Sequence, residues 1–245
     1  MGRPGWVSVA ALLGGFAVLL AACGGDDSGG STATATTPTP AGAKCGVERW
    51  PVKTLSDDRA GQVDFTPRAT TVDILRGLPD PKPAIKGSEK RQDGTEKQTF
   101  TVQATLLSFK REDDEDIHLV IADPADRTHT MIVEFPDVDC SGAISSAKKA
   151  EMEAARAAFV AACGEPTASF RELTGTATLT GVGFFDKKHG QNGLAPNGIE
   201  LHPILAFESA DCARPGTPTP TPRPTRTPTP TPVQPTNTPA STPTP

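Results

Sequence analysis

The sequence predicts a mainly β fold of the α+β type, in which five strands close a small barrel and one helix falls between the third and fourth strands. Three observations carry this. Apolar and polar residues alternate over several short segments in the middle of the chain, the period of a strand with one buried face. A single alanine-rich stretch has the helical period instead. Both ends are low in complexity and cannot bury enough apolar surface to offset the entropy of ordering. The 245 residues therefore divide into 1–22, 23–43, 44–213 and 214–245.

Residues 1–22 read as a bacterial lipoprotein signal peptide. Arg3 supplies the positive start, Trp6 to Ala22 the apolar stretch, and Leu20-Ala21-Ala22-Cys23 sets small residues before a cysteine. The apolar run, about 16 residues, is shorter than the roughly 20 that a spanning helix needs. Cys23 is the expected lipidation site, and acyl chains of the palmitate type on it would hold the protein to the outer face of the cell membrane. Residues 24–43, all Gly, Ser, Thr, Ala, Pro and two Asp, read as a flexible tether.

The globular part opens on an irregular, partly apolar stretch from Gly46 to Thr54. Thr70-Thr71 then provide an N-cap for a short helix from Val72 to Arg76, which Gly77 and Pro79 stop. Residues 79–98, rich in charge and proline, read as a loop. Gln98 to Phe109 is the first barrel strand, with Phe100, Val102, Ala104 and Leu106 on one face. An acidic turn from Glu112 to Asp116 leads into a second, Ile117 to Ala122, which Asp123-Pro124 breaks. Thr128 to Phe135 is the third strand, and Ser145 to Ala162 the amphipathic helix, ending at Cys163-Gly164. A fourth runs from Ser169 to Phe185 with Thr174, Thr176, Thr178 and Thr180 on one face. Its Gly175, Gly181 and Gly183 mark bulges or sharp coiling. After a loop from Gly190 to Gly198, Ile199 to Phe207 is the fifth. Three strands, a helix and two strands is the order of an OB-type barrel, whose helix plugs one end. The Thr-Pro repeats of 214–245 favour extended polyproline and offer acceptors for O-glycosylation.

With Cys23 assigned to lipid, Cys45, Cys140, Cys163 and Cys212 remain. Four cysteines in an exported domain read as two disulfides with three possible connectivities. Cys45 with Cys212 would staple the ends of the domain, and Cys140 with Cys163 is the favoured companion pair, provided the segment before the helix folds back along it. No Cys-x-x-Cys is present to favour a zinc cluster. Residues 44–213 carry 20 Lys and Arg against 27 Asp and Glu. Such an acidic surface repels phosphate backbones, so no nucleic-acid partner is expected.

Several stretches resemble the signature of an uncharacterised family of exported bacterial domains. These are Glu48-Arg-Trp-Pro-Val-Lys-Thr54, His118-Leu-Val120, Thr130-Met-Ile-Val-Glu-Phe-Pro136, Gly181-Val-Gly-Phe-Phe-Asp186, His189-Gly-Gln191 and Ala195-Pro-Asn-Gly-Ile-Glu-Leu-His-Pro203. The resemblance covers nearly all of residues 45–208. It implies a domain type and carries no catalytic residue across.

Two i,i+2 pairs stand out, Asp116 with His118 and Glu200 with His202, since each pair points to one face of its strand. Glu134 and His189 join them if the strands pair in the OB order. Two histidines with carboxylates suit zinc, manganese or non-haem iron, and an open position on such an ion activates water for hydrolysis. All these residues lie opposite the apolar alternation, however, where side chains are exposed by default. A His–carboxylate network holding loops is therefore expected ahead of a metal, and no cofactor is assigned beyond a candidate divalent ion. The run 112–116 lacks the glycine and distal glutamate of a calcium loop and reads as a solvated turn. Trp50 and Phe184-Phe185 read as core rather than as a stacking platform.

The expected function is a membrane-anchored surface lipoprotein that binds a ligand or partner, such as a cell-wall or surface component, without catalysis. OB barrels bind across their second and third strands and the adjoining loops, here His118, Glu134 and the loop 186–198. The alternatives are a metal-dependent hydrolase on His118, Glu134, Glu200 and His202, and a structural envelope protein.

Overall fold

The computed structural model describes residues 45–46 and 48–215. The segments expected to be a signal peptide and a tether, Cys23 between them, and nearly all of the Thr-Pro tail lie outside the described residues. The barrel strands are β2 (Gln98–Arg111), β3 (Ile117–Ala122), β4 (Thr130–Phe135), β6 (Thr176–Phe185) and β7 (Ile199–Glu208). Before them come a one-turn helix α1 (Trp50–Lys53), strand β1 (Asp64–Thr70) and helix α2 (Val72–Arg76). Helix α3 (Lys149–Cys163) and the two-residue strand β5 (Arg171–Glu172) fall between β4 and β6.

β2, β3 and β4 form an antiparallel meander, β7 joins β4 in parallel, and β6 pairs antiparallel with both β7 and β2. The sheet therefore closes in the order β2-β3-β4-β7-β6-β2, the OB-type closure expected from the element order. β2 can serve both neighbours because it is 14 residues long. Thr99 to Thr105 pair with β6, and Thr105 to Arg111 pair with β3.

Closure needs sharp coiling, and glycine allows it. The β6–β7 register slips around Gly181 and Gly183. A Cβ on Gly183 would lie 2.6 Å from the Thr95 carbonyl oxygen, and one on Gly181 2.9 Å from that of Pro203. The interior holds Val102, Leu106, Leu119, Ile121, Val133 and Leu179 among others. From α3, Phe159 plugs one end, with its ring 5.1, 5.0 and 5.3 Å from those of Phe109, Phe135 and Phe207. Trp50, Phe184 and Phe185 are buried, as expected for core.

Several local expectations are corrected. The helix begins at Lys149 rather than Ser145, because residues 141–148 form turns. The long fourth strand is broken at Gly175 (φ 104°) into β5 and β6. The stretch 44–70 holds α1 and the extra strand β1, which pairs in parallel with the start of β2. The loop 79–97 is not wholly solvated, since Arg91 and Glu96 are buried.

The favoured cysteine pairing is also overturned. The bridges are Cys45–Cys140 and Cys163–Cys212, with Cα atoms 5.5 and 5.4 Å apart. A 15-residue α3, about 22 Å long, stands between Cys140 and Cys163. The end of α3 instead lies beside the chain leaving β7, which brings Cys212 to Cys163. Cys140 follows β4, where the Trp50 indole donates to the Ser141 carbonyl and draws the N-terminal segment with Cys45 alongside.

Candidate functional site

Asp116, His118, Glu134, Glu200 and His202 all lie outside the barrel interior, on the face opposite its apolar residues, yet none is exposed. The expectation of solvated side chains fails because two elements cover this face. α1 and the residue that precedes it lay Lys53 and Arg49 over the Phe184 ring, 5.6 and 4.7 Å from its centroid, and Phe184 in turn packs on His202. The loop after β6 covers His118 and Val120, with the Asn192 carbonyl 3.0 Å from His118 Nε2.

Arg49 fixes the first cover. Its guanidinium donates to both carboxylate oxygens of Glu96, at 2.8 and 2.6 Å, and to the carbonyls of Phe185, Glu89 and Lys90. Arg91 adds contacts to Asp57 and to the carbonyls of Val52 and Glu96.

Beneath the cover, Glu134 links the two histidines. Its Oε1 is 3.1 Å from His118 Nδ1, its Oε2 is 2.9 Å from His202 Nδ1, and Lys53 Nζ stands 3.5 Å from Oε2. His202 Nε2 is 3.4 Å from Asp116 Oδ2. Those His202 approaches are out of line, so neither ring nitrogen makes a hydrogen bond of normal geometry, and Asp116 Oδ2 and Glu200 Oε2 are likewise unmatched. The other oxygen of Asp116 accepts the Asp137 amide.

Burial and charge divide these acids. Burial opposes ionisation of Glu134, but Lys53, His118 and His202 hold its carboxyl well below the usual range. Burial pushes Asp116 up to about 6, against the pull of His202. Burial also drives Glu200 well above its ordinary value, and the Glu134 and Asp186 charges add to that. For His118, burial works against the charge, but its bond to Glu134 and the Glu134 charge raise it. Burial and Lys53 oppose the His202 charge, which Asp116 and Glu134 favour enough to raise it. Burial alone would depress Lys53, yet Glu134, Asp186, Glu200 and Asp116 raise it. The cluster thus favours the charged form of Glu134 and the neutral form of Glu200.

A cavity of about 320 Å³ opens onto His118 and Glu134. Among the described residues, six carboxylates line it, from Glu48, Glu112, Asp113, Asp114, Glu134 and Asp186, and Lys53 is the one permanent cation in its walls. His189, half-exposed, also lines it and lies 3.8 Å from Asp186. Glu200 and His202 sit behind Glu134 and do not reach it. The acidic turn is more than a solvated hairpin, since Glu112 faces His118 at 3.3 Å and Asp116 is fully buried. The fourth histidine, His129, pairs with Asp73 and Asp126. A larger depression of about 900 Å³ beside α3 and β7 contains none of the cluster residues.

Sequence reasoning missed Lys53, Glu112 and Asp186. A lysine two residues after Pro51 carries no periodic signal, and Glu112 was legible only as part of a charged run. Comparison of the chain with protein-family models, with curated proteins and with solved structures returns no match.

Proposed function

We propose that this chain is a lipoprotein of the exported domain type, anchored through Cys23 to the outer face of the cell membrane, whose barrel binds a positively charged ligand or surface group without catalysing a reaction. One observation carries the binding reading. Among the described residues, the cavity over His118 and Glu134 is lined by six carboxylates and one permanent cation, with Lys110 and Lys187 pairing two of the acids from outside the wall, a balance that concentrates cations and rejects anions. It lies over the second and third barrel strands and the loop after β6, where OB barrels commonly hold their ligands. Two disulfides suit the oxidising compartment to which the Leu20-to-Cys23 sequence would send the chain. Glu134, touched by two histidines and a lysine, acts as a fixed charge rather than a proton carrier.

The full-length protein in detergent, stripped by chelation, is titrated calorimetrically with Zn²⁺, Mn²⁺, Ca²⁺ and a linear diamine. Saturable binding of at least one, weakened tenfold or more in Asp114→Asn/Glu112→Gln, is expected. No binding tighter than a Kd of about 1 mM by any probe overturns the reading.

A metal-dependent hydrolase is the second reading, favoured by the contact of Glu134 with both His118 and His202. It requires turnover of ester or phosphoester substrates that depends on added metal.

A further inference from the structure

His118 Nδ1 faces two carboxylates at the floor of the cavity, an arrangement that suits a cation. Nε2 lies 3.0 Å from the Asn192 carbonyl oxygen, which can only accept, so Nε2 bears the hydrogen. A neutral ring then presents the lone pair of Nδ1. That lone pair meets Glu134 Oε1 at 3.1 Å and Glu112 Oε1 at 3.3 Å, two further acceptors. Three electron-rich atoms then converge, unless Nδ1 carries a second proton and donates it to Glu134. Either an added proton or a cation must sit there.

The spacing fits a cation. Donors about 2.1 Å from a metal ion lie roughly 3.0–3.4 Å apart at octahedral or tetrahedral angles, and the two contacts from Nδ1 fall in that range. All three ligand atoms lie within 4.8 Å of one another. Two carboxylates and a neutral imidazole also match a divalent charge. An imidazole nitrogen in the set favours zinc or manganese over the all-oxygen cages of calcium and magnesium.

The supports of a metal centre are in place. His118 and Glu134 are direct register partners on β3 and β4, so their separation is set by the ladder. The far nitrogen of His118 is held by a backbone carbonyl, the usual arrangement behind a metal-bound histidine. The far oxygen of Glu112 is held by Lys110 at 2.8 Å, and that of Glu134 faces His202 and Lys53 at 2.9 and 3.5 Å. Behind them the fully buried His202 ring has both nitrogens aimed at carboxylates without a normal hydrogen bond. That deeper group, Asp116, Glu134 and His202, is sealed and already has the Lys53 ammonium as its positive charge. Glu112 and His118 instead open on the cavity, which leaves coordination positions free for water or a ligand.

We infer that Glu112, His118 and Glu134 bind one divalent transition-metal ion of the zinc and manganese class at the floor of the cavity. This rests on the cation-binding reading above and names its ligand.

The test is equilibrium dialysis of the chelator-stripped, full-length chain against Zn²⁺ and, separately, Mn²⁺, with thermal unfolding recorded with and without each ion. One ion per chain is expected, with a rise in unfolding temperature. Glu112 is part-exposed on a turn, so Glu112→Gln, although it removes the Lys110 ion pair, should leave the metal-free chain folded while weakening binding at least tenfold and removing the thermal shift. His118→Ala should abolish binding, and His129→Ala should leave it intact. Stoichiometric binding that survives Glu112→Gln would place the ion elsewhere and overturn the inference. Binding of the diamine without either metal would overturn it too, while leaving the cation-binding reading standing. Binding of no probe at all would remove both.

Discussion

His118 and Glu134 face each other across the β3–β4 ladder, with the ring nitrogen Nδ1 3.1 Å from the carboxylate Oε1. Because the other oxygen of Glu134 faces His202 and Lys53, one buried carboxylate stands among three buried basic side chains. A buried charge is tolerated only while its partners remain.

Glu134→Gln should therefore cost about 2–4 kcal/mol, since it strands Lys53 and both histidines. Glu200→Gln should cost less than about 1 kcal/mol, because burial already favours the neutral form of that carboxyl and an amide is a close stand-in for a neutral acid. Urea unfolding of the two variants side by side measures the contrast. Equal midpoint shifts would refute the division of charge between them.

The same groups set a pH dependence for the chelated protein. His118 and His202 are raised in the folded state, so their stabilisation is complete below their ordinary value near 6.5 and is lost as pH rises through the folded values. Asp116, at about 6, and Glu200, higher than usual, also bind protons more tightly when folded and lose stability as pH rises. Glu134 is lowered, so its contribution is lost only as pH falls below the usual carboxylate range. Stability should hence decline from about pH 5 to pH 8 by roughly 1–3 kcal/mol. A flat or rising urea midpoint over that window would contradict this.

The sequence states the barrel well where signals are local. Ile117–Ala122 and Val72–Arg76 have the expected bounds, and the Thr71 hydroxyl accepts the Ile74 amide as a cap should. The i,i+2 spacing of Asp116/His118 and Glu200/His202 does place these residues together. Their burial was not legible, because Lys53 and Asn192 reach the face from segments remote in sequence. β1 was invisible for another reason. It contains Pro67, most of its side chains are exposed, and its register with β2 slips between Asp64 and Arg68, so no alternation marks it.

Cysteine connectivity gives a third prediction. Non-reducing peptide mapping should recover Cys45 with Cys140 and Cys163 with Cys212. Removing either bridge by paired Ser substitution should cost about 2–4 kcal/mol. Losing the Cys45 bridge should also loosen the α1 cover and weaken cation binding, whereas losing the Cys163 bridge should not. A peptide joining Cys140 to Cys163 would refute the pairing.

Cys23 gives a fourth. On the proposed lipid anchor, Cys23→Ser should move the protein from the membrane fraction to the soluble extracytoplasmic fraction, because the variant would carry no lipid at residue 23. Retention of the variant in membranes would mean that something other than this lipid holds the chain.

The fifth prediction concerns the cover itself. Arg49 spans both oxygens of Glu96 and three backbone carbonyls, a fork that a lysine ammonium cannot reproduce. Arg49→Lys keeps the charge but leaves buried acceptors unmatched, so about 2–4 kcal/mol should be lost. The loss should be local as well as global, because Arg49 abuts α1, whose Lys53 is packed over Phe184 and near Glu134. In the wild type Lys53 is buried and should resist an amine-reactive reagent. In Arg49→Lys it should become labelled under native conditions, and cation affinity should fall with it, since Lys53 helps to orient the Glu134 carboxylate. Protection of Lys53 in a destabilised Arg49→Lys protein would show that the cover is held from elsewhere, with Arg91 and its contact to the Val52 carbonyl the next residue to test.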